Sequence, residues 1–439
     1  MEEPKQDAVS GTPEIFAPVF PEKPPFSASK MEKILALCMY PVAYFYLRAH
    51  WNADAGSAWT YYLLLAVFAC AFCSMAVLLC RPEKTPWESW VWLGSAGVIL
   101  AAKLLGRGQV WGDVYPALFV HVFAVYWVLS RSGRLLEGRS GHLLPLDALD
   151  GFVIFPFRHF FLRIRSAAAC FPRHEKGKPS AAPGAAVLIV LAVLAAFGLL
   201  CAAAELLSAA DDRFSSLVSG ALAWLQSLLD EAVLARILFS LPVGAYLFGL
   251  LAGTARENPD ALRARGEKTA GSLAAMRRIP NLVWTLALAV FAALYFIFFW
   301  IQGTYLFGAF SRTLPEGFTV AEYARQGFFE LCRVMALNLA LLWLVTRSSS
   351  VPPRQNRPVL ILSTVLLAES MLLAVVALSK LALYISCFGF TPLRLQSTWL
   401  ACVLLCACAC ALYSLWTGRR SMRAWMVFGA VTLALLHLY

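Results

Sequence analysis

The sequence predicts an all-α integral membrane protein, a bundle of about eleven transmembrane helices, and three observations support this fold class. First, 60% of the 439 residues are hydrophobic and only 14% are charged, whereas soluble proteins average about 45–50% apolar and about 25% charged. Second, the apolar residues gather into runs of about 16–25, the length that a helix needs to cross a bilayer. Third, the segments between the runs carry most of the basic residues.

These observations exclude several other classes of protein. A β-barrel would alternate apolar and polar residues along each strand, which the continuous apolar runs do not. The formal net charge is +11, but the basic residues lie in loops between apolar runs, so we expect no nucleic-acid partner. The 12 cysteines lie mostly inside apolar runs, so we expect them to pack as small apolar residues rather than form a disulfide framework.

The elements follow in a simple order along the chain. Residues 1–30 contain six prolines and no helical period, which predicts a disordered cytoplasmic tail. Four spans then occupy residues 31–130, a basic cytoplasmic loop occupies 131–184, and seven spans occupy 185–439. The predicted spans are Ile34–Leu47, Trp59–Cys80, Trp87–Leu105, Val114–Leu129, Ala185–Leu207, Ala232–Gly253, Leu282–Ile301 with an extension to Phe310, Gly327–Val345, Val359–Tyr384, Thr398–Leu415 and Ala424–Leu438.

The distribution of basic residues predicts the orientation of the bundle. The loops after the second, fourth, sixth, eighth and tenth spans hold 23 Lys and Arg in total. The other five loops hold 7 when Lys103, at the end of the third span, is included. Because cytoplasmic loops are enriched in Lys and Arg, we predict a multi-pass protein of the cytoplasmic membrane with its N-terminus inside and its C-terminus outside.

Two segments between spans have an interfacial composition. Leu144–Arg165 mixes five phenylalanines with arginine and histidine, which suits the headgroup layer of the cytoplasmic leaflet; the alternative is a loop that packs on the helix ends. In residues 214–229, apolar residues recur at helical spacing, which predicts a short amphipathic helix on the outer face.

Charged residues inside the spans are the first candidates for a functional site. An ionised side chain near the bilayer centre costs roughly 2.5–3.5 kcal/mol, so it needs a partner or water. Glu330 and Arg333 are three residues apart in the eighth span and could pair on one helix face. Glu369 and Lys380, in the ninth span, are separated by about 16 Å along the helix axis and cannot pair. Lys380 could extend to the outer surface, whereas Glu369 must find a partner on another helix or be protonated.

Three sequence blocks resemble a known family. The first is Gln302-Gly-Thr-Tyr-Leu-Phe-Gly308 followed by Ala321-Glu-Tyr-Ala-Arg-Gln-Gly-Phe-Phe-Glu-Leu331, and the second is Ser379-Lys-Leu-Ala-Leu-Tyr-Ile-Ser-Cys-Phe-Gly-Phe-Thr-Pro-Leu-Arg394. A weaker block is Ser208–Phe214. Together they resemble bacterial multi-spanning membrane proteins catalogued as domains of unknown function, the forty-one-fifty-three and forty-one-seventy-three group, over residues 185–439. The resemblance implies no activity and no catalytic residue.

All three blocks lie on the outer side in the predicted topology. We therefore predict that their polar residues, with those of spans seven, eight and nine, form an outward-opening polar pocket. The alternative for these residues is a structural role as polar contacts between helices, and Glu322 with Thr319 also fits a helix capping box. The candidate pocket residues are Gln302, Tyr305, Glu322, Tyr323, Arg325, Glu330, Arg333, Glu369, Lys380, Tyr384 and Arg394.

Three functions fit this pattern. The first is transport of a small solute or ion through the pocket. The second is a non-catalytic membrane component that senses a ligand or binds a membrane protein partner. The third is an intramembrane enzyme that acts on a lipid-linked substrate. The sequence contains no zinc-protease, serine-hydrolase or P-loop motif, so it favours a role other than catalysis, with no metal and no cofactor; His121 is expected to be a packing residue.

Overall fold

A computed structural model gives the architecture. It describes residues 26–51, 58–80, 85–107, 114–170, 231–311 and 328–439, with a few isolated residues between these ranges. Within 231–311, the side chains are described up to residue 301 and only the backbone beyond it. The described helices are α1 (Lys30–Trp51), α2 (Ala58–Leu79), α3 (Trp87–Leu104), α4 (Val114–Arg131), α5 (Leu144–Leu149), α6 (Phe155–Arg158), α7 (Leu162–Ala168), α8 (Glu231–Phe248), α9 (Thr254–Arg256), α10 (Pro259–Ala275), α11 (Asn281–Ser311), α12 (Phe328–Ser348), α13 (Arg357–Phe388), α14 (Pro392–Thr417) and α15 (Met422–Leu436).

This architecture confirms the all-α membrane fold. Within the described ranges, seven helical segments are long and apolar enough to cross a membrane. They correspond to the second, fourth, sixth, seventh, eighth, ninth and tenth predicted spans. Helices α1, α3 and α15 occupy the first, third and eleventh predicted positions but fall short of that standard of length and apolarity. The fifth span and the outer amphipathic helix lie outside the described residues, so the count of eleven and the orientation stay predictions.

The helices form two lobes: one large apolar cluster fills the first, and three smaller clusters fill the second. The N-terminal lobe consists of α1–α8 and α15, whose buried side chains form one large cluster that includes Trp127, Phe155 and Phe248. The C-terminal lobe consists of α11–α14, and α13 is its central helix because it packs against the other three. Helix α15 packs against both α3 and α14 and so connects the lobes.

Ion pairs tie the loops together at one end of the bundle. The buried Asp150 carboxylate accepts hydrogen bonds from Arg265 Nη2 at 2.6 Å to both oxygens. The salt bridges among the described residues are Glu32–Arg256, Glu88–Arg423, Glu137–Arg420, Asp150–Arg265, Glu257–Arg158, Glu257–His159 and Asp260–Arg263. They join the start of α1, the start of α3 and the loops after α4, α8 and α14. Every one of these segments belongs to the set that the charge pattern assigns to the cytoplasm.

Glu257 illustrates how these pairs offset burial. Burial acts to raise the pKa of its carboxyl, but hydrogen bonds from His159 and Arg158, both at 3.0 Å, outweigh that effect and hold the pKa below its ordinary value. The carboxylate therefore stays ionised and joins α9 to the segment after α6.

Two π-helical turns, Asp150–Ile154 and Gly249–Gly253, lie at this end of the N-terminal lobe. The second contains the small-residue motif Gly249-Leu-Leu-Ala-Gly253, which predicts close packing. A Cβ on Gly249 would lie 2.6 Å from the carbonyl oxygen of Pro156, and one on Gly253 would lie 2.6 Å from the ring of His159. Only glycine therefore allows the backbone to approach the α6 segment this closely.

The segment from α5 to α7 has both buried and exposed aromatic side chains, and its contact with the membrane surface stays a prediction. Phe155 is fully buried and Phe152 packs against the same core, as expected of a loop on the helix ends. Phe157 and Phe161 are exposed by 61% and 68%. The exposed apolar side chains recur every three or four residues, at Leu149, Val153, Phe157, Phe161 and Ile164, which is the spacing expected of a segment that lies in a membrane surface.

Candidate functional site

A hydrogen-bonded chain of polar side chains crosses the C-terminal lobe. The Tyr295 hydroxyl of α11 donates to Asn338 Oδ1 of α12 at 2.7 Å, and Asn338 Nδ2 donates to Ser370 Oγ of α13 at 2.9 Å. Ser370 in turn donates to the Leu366 carbonyl oxygen at 2.8 Å. Asn338 and Ser370 are fully buried. Since an unsatisfied amide in this setting is costly, the chain fixes three helices at one depth.

Glu369 lies beside this chain without joining it. Its side chain is half-buried, and Oε2 is buried with no hydrogen-bond partner in the described part of the protein. Its carboxyl is close enough to Tyr295 to interact with it electrostatically. The Tyr295 proton, however, is already donated to Asn338. The predicted partner on another helix is therefore not present among the described residues. Glu369 must then be protonated, or its carboxylate must be compensated by a cation or water.

Lys380 differs from the prediction that it extends to the outer surface. Its side chain is only 1% exposed, because the helices around α13 cover it, and neighbouring helices were not visible from the sequence. Within the described residues, no salt bridge joins it to Glu369, in agreement with their predicted separation.

Tyr384 and Arg394 are the two candidate pocket residues that the structure brings together. The Arg394 guanidinium lies 4.1 Å from the centre of the Tyr384 ring. It also donates to the carbonyl oxygen of Phe388 at 2.8 Å and to that of Gly389. Gly389 has a positive φ of 76° and ends α13. Arg394 thus satisfies the free carbonyl groups at a helix C-terminus, which is a structural role.

Of the remaining candidates, the structure describes Glu330 and Arg333, and neither joins this pair. Glu330 and Arg333 are both exposed on α12, and no salt bridge among the described residues joins them. The side chains of Gln302 and Tyr305, in α11, lie outside the described part of the structure. So do the residues Glu322, Tyr323 and Arg325, and with Glu322 the predicted capping box. The outward-opening pocket therefore stays a prediction.

Sequence reasoning missed the three residues of the hydrogen-bonded chain. It ranked intramembrane residues by formal charge, so Tyr295, Asn338 and Ser370 were passed over. Asn338 carried a usable signal, because an amide in the middle of an apolar span needs partners as a carboxylate does.

A second polar cluster lies in the N-terminal lobe. The rings of His50 and His121 are 5.5 Å apart, and Tyr46 contacts both. His121 Nδ1 lies 2.6 Å from the Ala117 carbonyl oxygen, while its Nε2 is buried without a hydrogen-bond partner among the described residues. A packing role for His121 stays a prediction. The described part of the chain contains no group of three or more His, Cys, Asp and Glu side chains placed to hold a metal ion.

Comparison with known proteins agrees with the motif resemblance. A family model described as "Domain of unknown function (DUF4153)" matches residues 89–439, so the match begins well before the blocks that suggested it. Comparisons with curated proteins and with solved structures find no significant match.

Proposed function

The chain belongs to the family described as domain of unknown function DUF4153, and we propose that this integral membrane protein transports a small solute or ion. In this proposal Glu369 takes up and releases a cation, H⁺ included, inside the cytoplasmic membrane. The observation that carries the proposal is the unpartnered Glu369 carboxyl beside the chain of Tyr295, Asn338 and Ser370.

The energetic argument rests on the cost of a charge in hydrocarbon. Glu369 is the thirteenth residue of the 32-residue α13, so it lies about 18 Å along the axis from the first residue of that helix, at membrane depth. An ionised carboxylate there costs roughly 2.5–3.5 kcal/mol, and such residues usually mark ion or proton pathways. A bound proton or cation removes that cost, which couples ligand binding to the state of the carboxyl.

The hydrogen-bonded chain has a supporting role in this proposal. Tyr295, Asn338 and Ser370 satisfy one another, so they hold α11, α12 and α13 in place without neutralising Glu369. The polar residues of the outer blocks, among them Glu330, Lys380 and Arg394, are proposed to line the route from Glu369 to the outer surface.

Complementation of a gene deletion tests the proposal. The deletion strain is profiled for growth across cations, pH, membrane-active drugs and cell-wall stresses, and is then restored with wild type, Glu369→Gln or Ser363→Ala at matched membrane levels. Ser363 is a matched control because it is a fully buried, uncharged residue of the same helix. The full-length protein is also reconstituted in liposomes that contain a pH-sensitive dye, and proton flux is driven by a potassium diffusion potential.

We expect wild type and Ser363→Ala to restore growth under one class of stress and Glu369→Gln to fail. Any dye-reported flux should fall at least tenfold in Glu369→Gln. If Glu369→Gln restores growth as well as wild type, Glu369 is a structural residue, and the protein is better described as a sensor or partner-binding component.

A further inference from the structure

A large cavity lies between the two lobes at the end where the ion pairs occur. Its volume is about 640 Å³, within the range of about 300–1,000 Å³ that ligand pockets occupy. The walls come from the loops after α4, α10, α12 and α14 and from the adjoining ends of α10, α12, α14 and α15. None of the candidate pocket residues from the sequence lines it, so it is separate from the Glu369 site.

The cavity is strongly basic. Five arginines line it against a single acidic residue, Glu137. Glu137 already pairs with Arg420 at 2.7 Å. Among the described residues, Arg277, Arg347 and Arg419 form no salt bridge, and Arg354 donates only to the Thr417 carbonyl oxygen, at 3.0 Å. The site therefore holds an excess of positive charge that no described side chain neutralises.

His142, which also lines the cavity, responds to this charge. Burial lowers the pKa of its imidazole, the Arg347 and Arg420 charges lower it further, and only Glu137 acts in the opposite direction. His142 is thus favoured in its neutral form, in which it can both donate and accept hydrogen bonds.

The basic wall is held in a fixed position. Asn281 accepts hydrogen bonds from the Val351 backbone N–H at 3.0 Å and from the Ser350 hydroxyl at 2.9 Å, and it donates to the Val351 carbonyl oxygen at 3.0 Å. Ile279 and Ser349 form a short parallel bridge beside it. These contacts join the segment that carries Arg277 to the loop between Arg347 and Arg354. The backbone segments that carry Arg277, Arg347 and Arg354 are therefore held together before any ligand binds.

The rest of the cavity is apolar. Leu339, Leu342, Trp343, Ala411, Leu415 and Trp425 form a wall that runs along α12, α14 and α15. Trp343 is 55% exposed on the outside of α12, where the bilayer surrounds the helix. A ligand that fits both walls has an anionic head that contacts several arginines and an apolar chain that follows the helices.

We propose that this cavity binds the phosphate group of an anionic phospholipid, with the headgroup at Arg277 and Arg347 and an acyl chain along the apolar wall. Arginine is suited to this role because its planar guanidinium binds phosphate in a bidentate manner. Basic pockets between transmembrane helices on the cytoplasmic side bind such headgroups. The same arginines would also accept the phosphate of a soluble metabolite, which the experiment distinguishes.

Native mass spectrometry of the delipidated full-length protein tests the proposal. Dioleoylphosphatidylglycerol and dioleoylphosphatidylcholine are added at equal concentration, and binding of each lipid is compared. A parallel thermal-shift assay measures the stability of the protein with and without 10 mM inorganic phosphate. The test variant is Arg277→Gln with Arg347→Gln. The control variant is Arg278→Gln with Arg357→Gln, which removes the same charge from exposed arginines outside the cavity. If the double test variant aggregates, Arg277→Gln alone replaces it, since Arg277 is exposed.

We expect wild type and the control variant to bind phosphatidylglycerol at least fivefold more strongly than phosphatidylcholine, and the test variant to lose that preference. Arginine-dependent stabilisation by inorganic phosphate without a lipid preference would overturn the lipid assignment in favour of a soluble phosphate compound. Equal binding of the two lipids with no effect of phosphate, or equal losses in both variants, would overturn the site itself.

Discussion

Two buried carboxyl groups in this protein have opposite surroundings. Asp150, in the loop between α4 and α8, is 1% exposed, and Arg265 contacts both of its oxygens at 2.6 Å. Glu369, in the middle of α13, has a buried oxygen with no partner in the described structure. Asp150 lies in a region where each buried glutamate, such as Glu88, also has an arginine. Glu369 has no salt bridge among the described residues.

The difference distinguishes the acids with a structural role from Glu369, for which we propose a functional one. A buried charge is tolerated when a partner compensates it, and losing that partner is expensive. The acids that pair with arginine at the loop end, Glu88 and Asp150 among them, meet that condition, so their role in holding the loops together explains them. Glu369 lies beside a hydrogen-bonded chain that is complete without it, so stability does not explain its presence. This contrast yields three predictions.

The largest effect is expected from breaking the Asp150 pair. Arg265→Gln leaves a buried carboxylate without its cation, and we expect a loss of about 3 kcal/mol of folding stability. Thermal unfolding of the purified protein in detergent measures it. The matched control is Arg263→Gln on the same helix, whose partner Asp260 lies at 3.8 Å and is 86% exposed, so its loss should cost under about 1 kcal/mol. Equal losses in the two variants would show that burial does not distinguish these pairs.

A smaller, pH-dependent effect is expected at Asp147. Burial raises the pKa of its carboxyl from 3.8 to about 7. The negative charges of Asp150 and Glu137 act in the same direction, and the positive charge of Arg265 acts against them. The folded state therefore holds a proton between about pH 4 and pH 7 that the unfolded state has released, so this group's contribution to stability falls as the pH rises through that window.

Asp147→Asn removes that dependence and keeps an oxygen to accept the Leu136 N–H, now bonded at 2.9 Å. Relative to wild type, the variant should gain on the order of 2 kcal/mol between pH 5 and pH 8. Unfolding temperatures at the two pH values measure this, with Asp260→Asn as an exposed control. If the unfolding temperature of Asp147→Asn changes between the two pH values as much as that of wild type, the prediction is contradicted.

The smallest effect on stability is expected at Glu369. Because an amide is cheaper to bury than a carboxylate and Glu369 has no partner to lose, Glu369→Gln should unfold at the same temperature as wild type or slightly higher. Thermal unfolding in detergent at pH 7, beside Arg265→Gln, gives the comparison. A loss as large as that of Arg265→Gln would mean that Glu369 has a structural partner after all.

The sequence predicted the helices well because apolar runs and loop charges are local signals. Glu369 was found for the same reason, since a carboxylate in an apolar run is visible without neighbours. Lys380 was misjudged because its burial depends on helices far away in the chain. Arg277, Arg347 and Arg420 were each visible as loop charges, but their convergence on one cavity depends on how four separate loops meet. Asn338 was missed because it carries no charge.

The length of α13 has a consequence for how the membrane acts on the protein. Its 32 residues extend about 48 Å, against about 30 Å of hydrocarbon. The helix must therefore tilt or project into the headgroup layers, and the balance between the two depends on bilayer thickness. Since α13 carries Glu369 and packs against three other helices, we expect bilayer thickness to alter the depth of that carboxyl. Lipids of different chain length should therefore exert a mechanical load on the bundle.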